Sequence, residues 1–181
     1  LVAMDAHAPS ALRHLIAIYQ HERDWHKAIG HARRLEKMTG ESQAATIAQF
    51  QCELAERSRQ HGARAEARAY LEEAFASQPG CVRGYMIGGH LFAEEGRWNE
   101  AVVAFEQAVD ADVDFVPEIL PPLLDAYAHA GEMDRAEKFL VHVIERYHGI
   151  TPVLALTDLY QKREGERAAI DFLTAQLRQR P

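Results

Sequence analysis

The chain has 181 residues, 48% of them hydrophobic and 26% charged, enough to bury a real core as one domain or one extended array. Its formal charge of -7, with the basic residues scattered and never in a run of five, argues against a nucleic acid or an acidic membrane surface as partner. No stretch approaches eighteen consecutive apolar residues, so nothing here is expected to span a membrane, and two cysteines, Cys52 and Cys81, point to a reducing compartment without a disulfide framework.

Residues 1–8 (LVAMDAHA) read as the tail of an upstream segment. Opening at Leu1 without a methionine or a signal-like leader, the chain is expected to be an excised piece of a longer protein. Pro9-Ser10 opens the first helix, with Leu12, Leu15, Ile16 and Tyr19 as its apolar stripe. Asp24-Trp25 takes the turn, Ala28, Ala32 and Leu35 line the second helix, and Met38–Ser42 forms a slightly long connection. A second pair follows, with Ile47, Phe50, Leu54 and Ala55 on one helix and Ala67, Leu71 and Ala74 on the next. Pro79-Gly80 closes it, because proline cannot continue a helix and glycine tolerates the reversal.

The third pair, Val82–Ala108, carries large residues (Tyr85, Phe92, Phe105) at helical spacing and small ones (Gly88, Gly89, Ala101, Ala108) where helices would approach closely, with the turn at Gly96. The fourth has Leu120, Leu123, Leu124 and Tyr127, then Gly131, then Ala136, Leu140, Val143 and Ile144. Pro117 suits a first turn, whereas Pro121 and Pro122 are expected to delay or kink that helix. The fifth shows Leu154, Leu156 and Tyr160, a turn at Glu164-Gly165, and Ala169, Leu173 and Leu177, and is expected to end the array with a more polar outer face.

Gly62 and Gly96 lie 34 residues apart and Gly96 and Gly131 lie 35 apart. A helix–turn–helix repeat of this period is the tetratricopeptide signature. A single pair cannot bury its own apolar faces and must stack on others like it. The expected fold is therefore all-α, a tetratricopeptide-repeat α-solenoid of about five units (9–42, 43–80, 81–115, 116–149 and 150–181) in a right-handed superhelix.

Chemistry is sparse. A metal site on a helix needs ligands three or four residues apart, and the ten histidines include no such pair. The stretch His21–His26 fails as a zinc-protease motif because Trp25 stands where the second histidine must be. The histidines are read as solvated, Cys52 as lining a helix packing face or the groove, and Gly88-Gly89 as a close-packing point with no phosphate-cradling loop. No nucleophile elbow is present. Neither enzymatic activity nor a catalytic, metal-binding or cofactor-binding residue is expected in this segment.

What remains is a surface. First helices of successive tetratricopeptide units line a concave groove, and counting from each turn marker places Arg13, Glu56, Arg59, Arg83, Met86, His90, Glu94, Asp125 and His129 along it. Their mixed charge suggests a protein partner of patterned polarity. A carboxylate clamp is not expected, since Glu56, His90 and Asp125 fill a row where asparagine would be needed.

The segments LRHLIAIYQHERDWHKAI (Leu12–Ile29) and IAQFQCELA (Ile47–Ala55), with the repeat phasing through Leu177, resemble the cytoplasmic tetratricopeptide region of the lipopolysaccharide assembly protein B family of Gram-negative bacteria. The resemblance covers residues 9–181. It implies an N-terminal membrane anchor and a C-terminal zinc module with paired CxxC motifs in the whole protein, neither of them in this segment, so no cofactor is expected here. It also implies an adaptor at the cytoplasmic face of the inner membrane. Its partners would be a membrane AAA protease and the deacetylase that commits precursors to lipid A, whose proteolysis it promotes, thereby regulating lipopolysaccharide synthesis. No nucleic acid and no direct membrane contact are implied for this segment, and a homo-oligomer through an exposed end stays open. The alternative is a generic tetratricopeptide scaffold for another bacterial envelope or secretion assembly.

Overall fold

A computed structural model describes the backbone of residues 2–179 and side chains from Ala8 to Arg178. Among the described residues there are ten α-helices and no strand. In chain order these are α1 (Val2–Glu22), α2 (Trp25–Thr39), α3 (Ala44–Gln60), α4 (Arg64–Ser77), α5 (Val82–Glu94), α6 (Trp98–Ala111), α7 (Val116–Ala130), α8 (Met133–Arg146), α9 (Thr151–Glu164) and α10 (Glu166–Gln179), with a 3-10 turn at Val113–Phe115. Five helix–turn–helix pairs in succession make this a tetratricopeptide-type helical-repeat fold. No helix among the described residues is long and apolar enough to cross a membrane.

The turns repeat because their chemistry repeats. Gly62, Gly96 and Gly131 adopt φ of 74°, 73° and 73°, a left-handed backbone that a β-carbon disfavours. Each reverses the chain two residues before the next helix begins. In the first pair the same place is taken by Arg23, with φ 58°, the one described non-glycine residue in this region. Asp24 then caps α2, its carboxylate accepting from the Lys27 backbone N–H at 3.3 Å.

The chain divides into two compact units, Leu1–Leu91 and Phe92–Pro181. In the first, α1, α2 and α3 enclose one core of Leu12, Ile16, Ala28, Ala32, Leu35, Ile47, Phe50 and Leu54, against which Tyr19, Trp25 and Tyr70 pack. A second core joins α3 and α4 to the start of α5 through Ala48, Cys52, Ala55, Ala67, Leu71, Ala74, Cys81 and Ile87. Alanines at the crossing points let backbones approach while leucines fill the gaps between them. Gln51, 1% exposed, is satisfied by donating to Glu73 and accepting from Ser77, both at 3.0 Å.

In the second unit Val116, Ile119, Leu120, Leu123, Tyr127, Ala136, Leu140 and Leu156 are fully or almost fully buried. Ion pairs tie successive hairpins together. Arg135 on α8 grips Glu106 on α6, Arg146 pairs with Asp110, and Arg163 on α9 reaches both Asp134 and Glu137 on α8.

Several sequence-based expectations need correcting. The first helix begins at Val2, so Pro9 lies inside it and residues 2–8 are helical (Leu1 lies outside the described residues). The alanine-rich start favours helix, and Pro9 sits inside α1 despite its missing N–H and its ring's clash with the carbonyl one turn earlier. Pro121 and Pro122 do not delay α7, which starts at Val116 because buried Val116, Ile119 and Leu120 anchor its first turn. Met38 and Thr39 belong to α2, and the connection is only Gly40–Gln43. On the fifth pair the exposed face of α10 is mixed, with Ile170 and Leu177 53% and 74% exposed beside Glu166, Arg167, Asp171 and Arg178. Finally, Gly88 is not a tight point, because a β-carbon there would meet nothing nearer than Leu71 Cδ1 at 3.9 Å. Gly84, one turn earlier on the same helix, is tighter, its β-carbon lying 3.0 Å from the Phe75 ring.

Candidate docking surface

The nominated residues sit on first helices of their pairs: Arg13 on α1, Glu56 and Arg59 on α3, Arg83, Met86, His90 and Glu94 on α5, Asp125 and His129 on α7. Six of them belong to the first unit and three to the second.

In the first unit Glu56 and Arg83 share one depression of about 310 Å³. Its other walls are Arg23 and Trp25 from the first turn and Glu53, Arg57 and Gln60 from α3. Arg83 Nη2 holds Glu53 at 2.8 Å, an ion pair that registers α5 against α3. Arg59 chelates Glu56 through Nε at 2.8 Å and Nη2 at 2.7 Å, and Gln60 adds a third donor at 2.7 Å. Those donors, Arg59 first, hold the Glu56 carboxyl below its usual range. Trp25 is pinned by stacking on Phe50 at 5.6 Å. The result is an indole edge set among three arginines, with the acidic groups already paired.

Arg13 is not brought into this depression. It pairs with Glu41 at 2.9 Å, and both side chains are more than half exposed, so the pair contributes little. Met86 and His90 are half-buried on α5.

In the second unit Asp125 lies in a depression of about 320 Å³ with Leu124, Ala128, Met133, Asp158 and Lys162. His129, one turn on, stacks on Trp98 with ring centroids 4.1 Å apart and nearly parallel planes. It also bonds the Asp125 carbonyl through Nδ1 at 2.9 Å. His31 stacks likewise on Tyr19 at 5.3 Å, so these histidines are aromatic packing partners as well as solvated side chains. Glu94 is exposed in the last turn of α5.

Sequence reading passed over Glu53, Arg57 and Gln60, although with Glu56 they recur at three- and four-residue spacing on one face of α3. Arg23 was legible too, as the one turn position in the series without glycine. The contact between Cys52 and Cys81 was not: 29 residues apart in the chain, their sulfurs lie 3.5 Å apart at the α3–α5 junction. Cys81 directly precedes α5. Its thiol is drawn down to about 6 by a hydrogen bond from Cys52, then by the backbone N–H groups of Gly84 and Arg83 and by the Arg83 charge, against the opposing effect of burial. The Cys52 thiol moves the other way, raised by its bond to Cys81 and by burial. Among the described residues no group of three or more His, Cys, Asp or Glu side chains is arranged to hold a metal ion.

No protein-family profile matches the chain. Lipopolysaccharide assembly protein B of Haemophilus influenzae is 30% identical over 174 residues, 96% of this chain and 44% of that protein. The protein of the same name from Escherichia coli K12 is 31% identical over 171 residues, 94% of this chain and again 44% of the relative. The resemblance read from Leu12–Ile29 and Ile47–Ala55 thus extends through both units, and the chain spans less than half the length of the curated relatives it matches. A crystal structure of MamA superposes with a TM-score of 0.56 at 16% identity, covering 91% of this chain and 93% of that one, a likeness of fold alone.

Proposed function

We propose that this chain, homologous along nearly its whole length to lipopolysaccharide assembly protein B, is a non-catalytic docking scaffold of that family. The observation that carries the reading is the homology at 30–31% identity, joined to a helical-repeat fold whose first helices present prearranged polar groups. In this reading the segment lies at the cytoplasmic face of the inner membrane, between an anchor and a zinc module in the whole protein. It holds a membrane AAA protease and the lipid A-committing deacetylase near each other, so that proteolysis of the deacetylase tracks lipopolysaccharide demand. Scaffolding of this kind works by effective concentration: two partners held at fixed separation meet intramolecularly. Polar groups already arranged on folded helices lower the ordering cost of each docking event.

The depression around Trp25 is the surface assigned to docking. Its partly buried indole and its arginines are the residue types that dominate binding energy at protein interfaces, and its carboxylates are already paired with Arg59 and Arg83. The test is a pull-down of the membrane protease by the full-length protein carrying Arg83→Glu with His90→Glu, run beside Trp25→Ala. Loss of capture by folded variants is expected. Unchanged capture with both would move docking away from this part of the array. A deacetylase half-life unaffected by deletion of the repeat segment would overturn the adaptor reading itself.

A further inference from the structure

The most unusual chemistry in the molecule lies in the core of the first unit. Of the two cysteine sulfurs, that of Cys52 on α3 belongs to a side chain with no solvent exposure, while Cys81 at the entrance to α5 is 8% exposed. They face each other at 3.5 Å, within about 1.5 Å of the length of a sulfur–sulfur bond. The surroundings treat them unequally. Cys81 occupies the capping position of α5, where the backbone N–H groups of Arg83 and Gly84 have no partner inside the helix and turn toward its sulfur. Cys52 sits among Ala48, Ala55 and Ala74, and the neighbouring Cys81 sulfur together with burial pushes its thiol up. The segments that carry them are tied together by the Arg83–Glu53 ion pair, Glu53 directly following Cys52 and Arg83 lying two residues after Cys81. Gly84 on the first turn of α5 packs beside the same sulfur, a β-carbon there making an ordinary 3.7 Å contact with Cys52 Sγ.

We propose that Cys52 and Cys81 form a peroxide-responsive dithiol site, in which Cys81 is the reacting sulfur and Cys52 the resolving one. The thiolate of Cys81 attacks one oxygen of hydrogen peroxide. The O–O bond breaks, the departing hydroxide takes up a proton to become water, and Cys81 is left as a sulfenic acid. Cys52 then attacks the Cys81 sulfur. The S–S bond forms as the S–O bond breaks, and the second hydroxide leaves as water with the Cys52 proton. Two thiols lose two electrons and one peroxide is reduced to two waters. A low-molecular-weight thiol reverses the step by exchange. The disulfide covalently joins α3 to the start of α5 and so locks the second hairpin between them, a transient bond of the type that redox-sensing proteins of reducing compartments use.

The experiment is an intact-mass measurement on the full chain, reduced, desalted, treated with hydrogen peroxide and denatured without reductant. The expected result is a mass lower by two hydrogens, loss of both thiols together, recovery of both with dithiothreitol, and no intermolecular dimer. With dimedone present, Cys52→Ser gives one adduct at Cys81, while Cys81→Ser retains its Cys52 thiol. Two thiols that persist in the wild-type chain under peroxide, or oxidation only as covalent dimers, would overturn the site whatever the variants do. A Cys81→Ser chain that oxidises at Cys52 as fast as the wild type would overturn the assignment of roles.

Discussion

The Tyr127 hydroxyl on α7, on a side chain with no solvent exposure, donates to Glu106 Oε1 on α6, the same oxygen that Arg135 Nε from α8 reaches at 3.0 Å. Three consecutive helices therefore meet at one carboxylate. Burial first, then the hydrogen bond to Glu106 and after it the Glu106 charge, push the Tyr127 phenol well above its usual range. Removing the hydroxyl leaves Glu106 still held by Arg135, so Tyr127→Phe is expected to cost about 1–2 kcal/mol in urea melts. Glu106→Ala strands a buried hydroxyl and is expected to cost more, about 2–3 kcal/mol. The pH sign follows from the raised value: the bond's contribution is complete below about pH 10, where the unfolded tyrosine ionises, and is lost as pH rises beyond it. Wild type should lose stability there faster than Tyr127→Phe.

Gly84 and Gly88 stand one turn apart on α5 and should respond oppositely to alanine. At Gly88 the new methyl makes an ordinary contact with Leu71, and the helix gains about 0.5–1 kcal/mol from reduced freedom of the unfolded chain. At Gly84 it meets the Phe75 ring at 3.0 Å, and that ring is backed by Tyr85 with centroids 4.7 Å apart. Overpacking should outweigh the helix gain, a net loss of about 1 kcal/mol. Thermal melts of both variants moving in the same direction would contradict this.

The turn series offers a second internal comparison. Alanine at Gly96 has open space around its β-carbon but a φ of 73°, so Gly96→Ala should destabilise by about 1–2 kcal/mol through backbone strain alone. Arg23 already bears that strain, and Arg23→Gly should return about 0.5 kcal/mol after glycine's larger unfolded-state entropy is counted. If Arg23 serves the depression that it lines, the same variant gains stability while losing partner capture, a divergence that equilibrium unfolding and the pull-down read separately.

Cys81 carries a pH signature of its own. With its thiol drawn down to about 6, alkylation by iodoacetamide should reach half its limiting rate near that pH. The first cause is the hydrogen bond from Cys52, so Cys52→Ala should shift the midpoint upward. The stability that the thiolate contributes is present above the ordinary thiol range near 9 and is lost as pH falls through about 6. A midpoint unmoved by Cys52→Ala would assign the effect to the helix terminus alone.

What the sequence determined by itself is what local chemistry decides. The helix pairs follow from alanines and leucines at three- and four-residue spacing, and the reversals from glycines whose backbone only they adopt cheaply, so the 34-residue phasing was visible without any contact between distant residues. The family resemblance rests on the same linear signal. Helix limits near prolines were misjudged because buried anchors such as Ile119 and Leu120, set by packing from other helices, outweigh a proline's local penalty. Tertiary structure alone decided which small residue is tight, since Gly84 and Gly88 differ only in what the neighbouring helix places opposite them. It alone brought Cys52 to Cys81 and Arg83 to Glu53, because their meeting depends on the crossing of α3 and α5 with a whole helix between them in the chain. Of the nominated groove, the structure gathered Glu56 and Arg83 beside Trp25 and gave Arg13 to Glu41 instead. Spacing along one helix shows which face a residue shares, and packing between helices decides what that face meets.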